Sequence, residues 1–388
     1  MKILLIFHSS SMQGGANVSG LNMLRGLRRL GHNVCVLLPT AGELSRRLDE
    51  EGFDYKIIYF RQAWPYTIGS TMSMLKFIPR KIKEMIANRR ACREIGKWVA
   101  NEVQPDLIHS NSSVTDVGFV VARRLGLPHI SHFREYGYRD TGFPMWHVRR
   151  MIRYPQQNNI AVSEDISRFH SLPAERSEVI YNGIYSKEDY PEMPAPSPEK
   201  DDYLLYVGGL YAAKGIDDIL EAYAGLDSCI RSKHPLMLVG AANSRQYEKH
   251  LRNKADKLGI SQCVKWLGPR NDVADLMQHA RALVVASHSE AFGRIMAEAA
   301  FNRCPVIARD RKGLHEQFEQ GRRISGMEIG LRFDDVDSLR NCMRHILTSD
   351  YDESAEMTDS AYLTARCLYT NEANAAHVSE FYKTVTKK

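Results

Sequence analysis

Residues 282 to 299 read ALVVASHSEAFGRIMAEA. The first five are an unbroken apolar run, the pattern of a strand buried on both faces, as in a parallel sheet. The far end is helical: Ile295, Met296, Ala299 and Ala300 lay an apolar stripe along a helix that should begin near Phe292 or Gly293. The two carboxylates of the segment then have different settings. Glu290 falls in the loop, while Glu298 lies about one and a half turns inside the helix at roughly 1.5 Å per residue. The backbone N–H groups of Ala291, Phe292 and Gly293 fall at the helix start, where they lack helical partners and offer a partial positive charge to phosphate or sugar hydroxyls. A carboxylate deeper in the site suits a ribose, whose vicinal hydroxyls can both donate to its two oxygens. Taken alone, Glu290 is also what any helix N-terminus favours, and Glu298 could be a surface glutamate.

The same alternation extends in both directions. Upstream are YLLYVGG, a helix near 215 to 225, LMLVG, a helix near 244 to 258, VKWLG and a helix near 272 to 280; CPVIA follows. The first half gives KILLIF, a helix from 17 to 30, NVCVLL and a long helical stretch to about 103. Then come DLIHS, a helix near 115 to 126, PHISHF, NIAVS and EVIYN. Strands alternating with helices predict parallel strands joined by right-handed crossovers. Between the halves, YPEMPAPSPEKDD (190 to 202) packs four prolines among polar residues and reads as a linker. The expected fold class is therefore α/β, two doubly wound parallel-sheet domains. Ligands of open α/β sheets bind outside the carboxyl ends of the strands, so two such domains facing one another would make an interdomain cleft.

Composition narrows the function classes. At 388 residues, 44% hydrophobic and 25% charged, the chain can form two domains with cores of their own. Its longest apolar runs fall far short of the roughly 18 residues a membrane span needs. Met1-Lys2 and five apolar residues are too short for a signal peptide, so a cytoplasmic protein is expected. Seven scattered cysteines without a C-x-x-C pair fit reduced thiols rather than disulfides or zinc.

The glycines mark where a ligand would lie. Gly14 and Gly15 stand between the first strand and the first helix, where a glycine loop lets backbone N–H groups approach an anion; a plain glycine turn is the alternative. YVGGLYAAKG repeats the geometry in the second half, with Lys214 five residues past Gly209. This lysine is suited to phosphate, unless it is simply solvated.

Together, SEAFGRIMAEA, YVGGLYAAKG, CPVIARDRKGLHE and GLRF resemble the family 4 retaining glycosyltransferases of GT-B fold. GGANVSGLNMLRGLRRLGHNV, PDLIHSNS, LGLPHISHFRE, AVSEDI and VIYNGI follow that family's order, so the resemblance covers roughly residues 1 to 340. It implies an N-terminal Rossmann-like acceptor-side domain (1–186) and a C-terminal nucleotide-sugar donor domain (187–365). A final helix, about 366–388, would cross back onto the first. It implies that Glu298 holds the nucleotide ribose and Lys214 the donor diphosphate. Glu290 and the backbone of Ala291, Phe292 and Gly293 would contact the transferred sugar, Gly15 would lie under the diphosphate, and His132 would reach the sugar. Gly313 and Glu316 match a G-x-x-E in the same family. One departure stands out: where the family has an arginine beside the diphosphate, this sequence has Gly209, and Arg294 is the candidate substitute. A lost charge-assisted donor would cost on the order of 1.5 to 3 kcal/mol.

The resemblance implies transfer from a nucleotide-sugar, a UDP-sugar ahead of a GDP-sugar, through an oxocarbenium-like state with attack on the front face and no metal requirement. Asp335-Val336-Asp337 and the pair His129 and His132 are weak metal candidates without a third ligand. From Lys76 to Lys97 stand eight basic residues against Glu84 and Glu94, a surplus of six that equals the net charge of the whole chain. Trp64, Met72, Met74, Leu75, Phe77, Ile78, Ile82, Met85 and Ile86 lie beside them, so residues 76–97 are either a solvated helix with a core stripe or a peripheral contact with an anionic membrane. GFPMWHVRRMIRY (142 to 154) is a second basic and aromatic strip. No nucleic-acid-binding motif accompanies either. Membrane contact would suit a lipid-linked acceptor in bacterial surface polysaccharide synthesis. A GT-B nucleotide-sugar epimerase and a binding-only relative are the alternatives.

Overall fold

The computed structural model describes residues 1–12, 14–61, 71–136, 145–190, 200–350 and 354–387, without the side chains of 71–81, 85 and 145. Trp64, residues 142–144 and most of the 190–202 segment lie outside the described residues, as do the side chains of Met72, Met74, Leu75, Lys76, Phe77, Ile78, Arg80, Lys81 and Met85. The chain divides into two compact units, Met1–Gly183 with Asn371–Lys388, and Ile184–Thr370.

The first unit is built on a parallel seven-stranded sheet of β1 (Lys2–Ile6), β2 (Asn33–Leu38), β3 (Tyr55–Ile57), β4 (Leu107–Ser110), β5 (His129–Phe133), β6 (Gln157–Ala161) and β7 (Ser177–Val179), in the order β3-β2-β1-β4-β5-β6-β7. Successive side chains of a strand point to opposite faces, so a strand covered on both sides favours apolar residues throughout. β1 shows why. Ile3 and Leu5 pack with Leu24 and Leu27 of helix Gly15–Arg29 and with Val378 and Tyr382 of helix Asn371–Thr386. Leu4 and Ile6 pack on the other face with Cys92 and Ile95 of helix Thr71–Trp98 and Val117 and Val121 of helix Val117–Leu125.

The second unit repeats the plan with six parallel strands, β8 (Leu204–Val207), β9 (Leu236–Val239), β10 (Val264–Gly268), β11 (Ala282–Val285), β12 (Val306–Arg309) and β13 (Leu331–Phe333), ordered β10-β9-β8-β11-β12-β13. Leu204, Tyr206, Ile219, Tyr223 and Leu238 belong to its core. In each sheet the strand order reverses once, between β1 and β4 and between β8 and β11. Loops diverge at such a switch point and leave a crevice at the carboxyl ends. The Gly14–Gly15 loop follows β1, Gly208–Lys214 follows β8, and the loop with Glu290 follows β11.

One difference from the sequence pattern has a clear cause. The single helical stretch expected between β2 and residue 103 is helix Glu43–Glu50, β3 and helix Thr71–Trp98. The break comes at Gly52, whose φ of 65° ends the first helix, and β3 is only three residues of edge strand, too short to show a period. Asp335 is the cap of helix Val336–Thr348, accepting a hydrogen bond from the Ser338 N–H at 2.8 Å, and Asp337 pairs with Arg340 at 2.9 Å. Among the described residues no helix is long and apolar enough to cross a membrane.

Candidate active site

In the second unit, β11 delivers the chain into the loop Ser287–Gly293, and helix Arg294–Phe301 begins from Gly293 at φ 84°. That left-handed conformation disfavours a side chain, and a Cβ there would lie 2.5 Å from Leu314 Cδ2. The neighbouring helix Lys312–Ser325 holds the loop in place. The Gly313 N–H donates to the Glu290 carbonyl at 3.1 Å, and the Gln317 amide donates to the carbonyls of Phe292 and, at 3.1 Å, Gly293. Among the described residues the backbone N–H groups of Ala291 and Gly293 have no hydrogen-bond acceptor.

Both carboxylates of the segment are paired with cations. Lys214, at the end of the turn Ala212–Lys214, donates through Nζ to Glu290 Oε1. Burial works against the lysine's charge, but Glu290 and Tyr211 outweigh it and its pKa is raised. Arg294 Nη2 lies 3.1 Å from Glu298 Oε1 one helical turn on. Burial raises the Glu298 pKa, and Arg294 opposes the shift. Glu298 and Arg294 side chains are 21% and 18% exposed, so this pair remains reachable by a ligand.

At Gly209, a Cβ would stand 2.9 Å from Cε1 of Tyr211, and the Tyr206 hydroxyl donates to its carbonyl at 2.9 Å. Tyr211 therefore occupies the space an arginine side chain would need at its root, and Lys214 Nζ stands 5.7 Å from the centre of the same ring. Below the loops, buried Arg309 donates to the carbonyls of Ala286 (3.1 Å) and Asp334 (2.7 Å) and to Asp218 Oδ2. It ties the end of β11 to the helix that starts two residues after Lys214.

The first unit carries its own polar cluster. His132 is fully buried on β5, its ring stacked on His109 with centroids 5.5 Å apart. Burial and the Arg134 charge hold its pKa well below the usual range, so the ring is neutral. Arg134 Nη2 donates to His132 Nδ1 at 3.2 Å, which leaves the proton on Nε2, and Nε2 has no partner among the described residues. Arg134 also reaches Asn111 and Asn182, while Glu135 accepts from Ser112 (2.8 Å) and Ser113 (3.1 Å). Gly15 is the first residue of helix Gly15–Arg29, whose N-terminus has no side-chain cap. His129 faces elsewhere, with its ring nitrogens engaged by Gln157 (2.6 Å) and Ser110 (2.9 Å). Among the described residues no group of three or more His, Cys, Asp or Glu could hold a metal ion.

Two family descriptions match nearly the whole chain in tandem. Glycosyltransferase Family 4 matches residues 13–187 and Glycosyl transferases group 1 matches residues 192–363. The chain belongs to the family 4, group 1 glycosyltransferases. A D-inositol 3-phosphate glycosyltransferase of Frankia alni is 29% identical over 372 residues, 84% of this chain and 86% of that protein. The lipopolysaccharide glucosyltransferase WaaG of Escherichia coli is 31% identical over 153 residues, which are 37% of this chain and 40% of WaaG. Anabaena Alr3699/HepE, solved in complex with UDP, has a TM-score of 0.77 at 21% identity, over 99% of this chain and 100% of that one; a structure of the same protein with UDP-glucose gives 0.76. The two Rossmann-like domains are those of the GT-B fold. Membership makes the chain an enzyme, a hexosyltransferase of the retaining type that moves a sugar from a nucleotide-sugar donor.

Sequence reasoning singled out Lys214, Glu290, Arg294 and Glu298, which the second unit gathers at one switch point. It passed over Gln317, Arg309, Arg134 and Glu135. A glutamine inside an amphipathic helix carries no signal, but an arginine closing the otherwise apolar strand Val306–Arg309 was a visible one.

Proposed function

We propose that the protein transfers a hexose from a UDP-sugar, with retention, to a hydroxyl of a lipid-linked glycan in bacterial surface polysaccharide synthesis, at the cytoplasmic face of the membrane. The observation that carries the donor site is the paired arrangement of Lys214 with Glu290 and Arg294 with Glu298 around the unpaired N–H groups of Ala291 and Gly293. Lys214 and Arg294 take up the charge of the departing diphosphate, with Arg294 serving where Gly209 carries no cation. Glu298 accepts the ribose hydroxyls. Glu290 and the 291–293 backbone hold the sugar. UDP is favoured because HepE was solved with UDP and UDP-glucose.

The chemistry needs no nucleophile from the protein. The anomeric carbon–oxygen bond lengthens as negative charge gathers on the diphosphate, the acceptor hydroxyl adds on the same face, and its proton passes to the leaving phosphate oxygen. Glu290, held by Lys214, acts by charge on the oxocarbenium-like sugar. The experiment is UDP release from a panel of UDP-hexoses with and without diphosphate-linked lipid glycans. Acceptor-dependent release is expected. Release that soluble sugars stimulate and lipid-linked glycans do not would refute the acceptor class.

A pH effect follows from Glu298. Because burial raises its pKa, proton uptake, and with it loss of UDP affinity, should begin on acidification above the ordinary glutamate value of roughly 4.3. Titration calorimetry between about pH 4 and 7 reads this directly; a flat profile contradicts the ribose role.

Membrane contact is assigned to helix Thr71–Trp98. Ile82 (47%) and Ile86 (44%) are exposed beside exposed Lys83, Arg90, Arg93 and Lys97, while Cys92 and Ile95 turn to the core. Each basic residue near an anionic surface is worth about 1 kcal/mol. Arg89→Gln/Arg90→Gln/Arg93→Gln should therefore weaken binding to phosphatidylglycerol vesicles by about 100-fold. Equal co-sedimentation of the variant would disprove the assignment.

A further inference from the structure

The first unit contains a second cluster of cations that the donor site does not use. Two adjoining cavities, of 500 and 290 Å³, share Arg149 and Arg153. Arg150, Trp146 and Tyr154 also line the larger, and His170, Ser171 and Arg176 the smaller. Their sizes approach or fall within the roughly 300–1,000 Å³ of small-molecule sites.

Arg149, Arg150 and Arg153 have no carboxylate partner among the described residues, and Arg176 reaches only the exposed Glu175 at 3.6 Å, while Nη1 holds the Tyr154 carbonyl at 2.7 Å. Like charges one helical turn apart repel, and no carboxylate among the described residues offsets them.

His170 says what kind of anion. It is 97% buried, since only 3% of it is exposed. Its Nε2 lies 2.8 Å from the Glu135 carbonyl oxygen. A carbonyl can only accept, so Nε2 carries the proton. Burial lowers the ring's pKa, which leaves Nδ1 an acceptor, and Nδ1 has no partner among the described residues. A ligand that satisfies both the guanidinium forks and this acceptor is an anion that also carries a hydroxyl donor. Sulfate and carboxylate groups supply none near neutral pH. A phosphate monoester, with a second pKa near roughly 6, supplies one in its monoanion and keeps two oxygens that match arginine forks.

We propose that the Arg149–Arg153–His170–Arg176 pocket of the first unit binds a phosphomonoester group, apart from the donor site. The group could arrive on a soluble ester or on a lipid headgroup, and the test separates these. Calorimetry on the full chain uses glycerol 3-phosphate as the soluble probe. Vesicle co-sedimentation compares phosphatidic acid, a monoester, with phosphatidylglycerol, a diester, at equal surface charge. Saturable binding of glycerol 3-phosphate identifies a soluble ligand, and preference for phosphatidic acid alone identifies the headgroup. Either must fall by about tenfold or more in Arg149→Gln/Arg153→Gln, two exposed positions whose change leaves the unfolding midpoint unaltered. The Arg89/Arg90/Arg93 variant should retain it, which separates this site from the membrane helix. Absence of both kinds of binding, equal binding of sulfate, or full binding by the double variant overturns the proposal.

Discussion

Lys214→Ala lowers the rate of sugar transfer by about 10²- to 10³-fold, the usual effect of removing one preorganised donor to developing negative charge, roughly 2.7–4 kcal/mol. Nζ is held by Glu290 before any donor arrives, so the lysine is fixed in place and needs little reorganisation when charge develops on the diphosphate. The side chains of the pair are 23% and 16% exposed, so Glu290 can be partly hydrated when its partner is gone and the fold should survive. The effect should fall mainly on kcat, because the leaving charge is largest in the transition state. Unchanged turnover in a folded Lys214→Ala protein would remove Lys214 from the mechanism.

Arg309→Ala acts through the scaffold instead. Its guanidinium, on a residue 3% exposed, has three anchors in the protein, two carbonyls and Asp218. Removing Arg309 strands two carbonyls and Asp218, and because Asp218 is 24% exposed the cost falls at the low end for a buried pair, about 3 kcal/mol. That is a large share of the roughly 5–15 kcal/mol by which domains are stable. Urea unfolding should show the loss as a lower midpoint, and transfer should weaken at temperatures where the variant is still folded, because the strand end before Glu290 and the helix after Lys214 lose their common tie. A loss below about 1 kcal/mol would mean that Asp218 and the carbonyls find water, and Arg309 would not be a positioning residue.

These two residues also show how far the sequence could be read. The βαβ alternation is legible because strands covered on both faces favour continuous apolar runs, such as the ILLI of β1 and the ALVV of β11, and because helices such as Ile216–Ala224 carry a stripe of period 3.6. Lys214 and Glu298 could be singled out because glycine loops and helix starts have local signatures. Arg309, Arg134 and Gln317 act through partners tens of residues away, such as Asp218, Asn182 and Phe292. No local pattern encodes such contacts. β3 escaped for the opposite reason, being three residues at a sheet edge. The space at Gly209 was equally hidden, since only the fold brings the Tyr211 ring over it.

The central claim is that the Lys214–Glu298 region of the second unit is a nucleotide-sugar site, and titration calorimetry of UDP against wild type and Glu298→Ala tests it most directly. The account predicts one saturable site in the wild type and an affinity lower by about tenfold or more, near 1.4 kcal/mol, in the variant. No saturable binding of UDP to the wild type, or equal affinity in the two proteins, would contradict it.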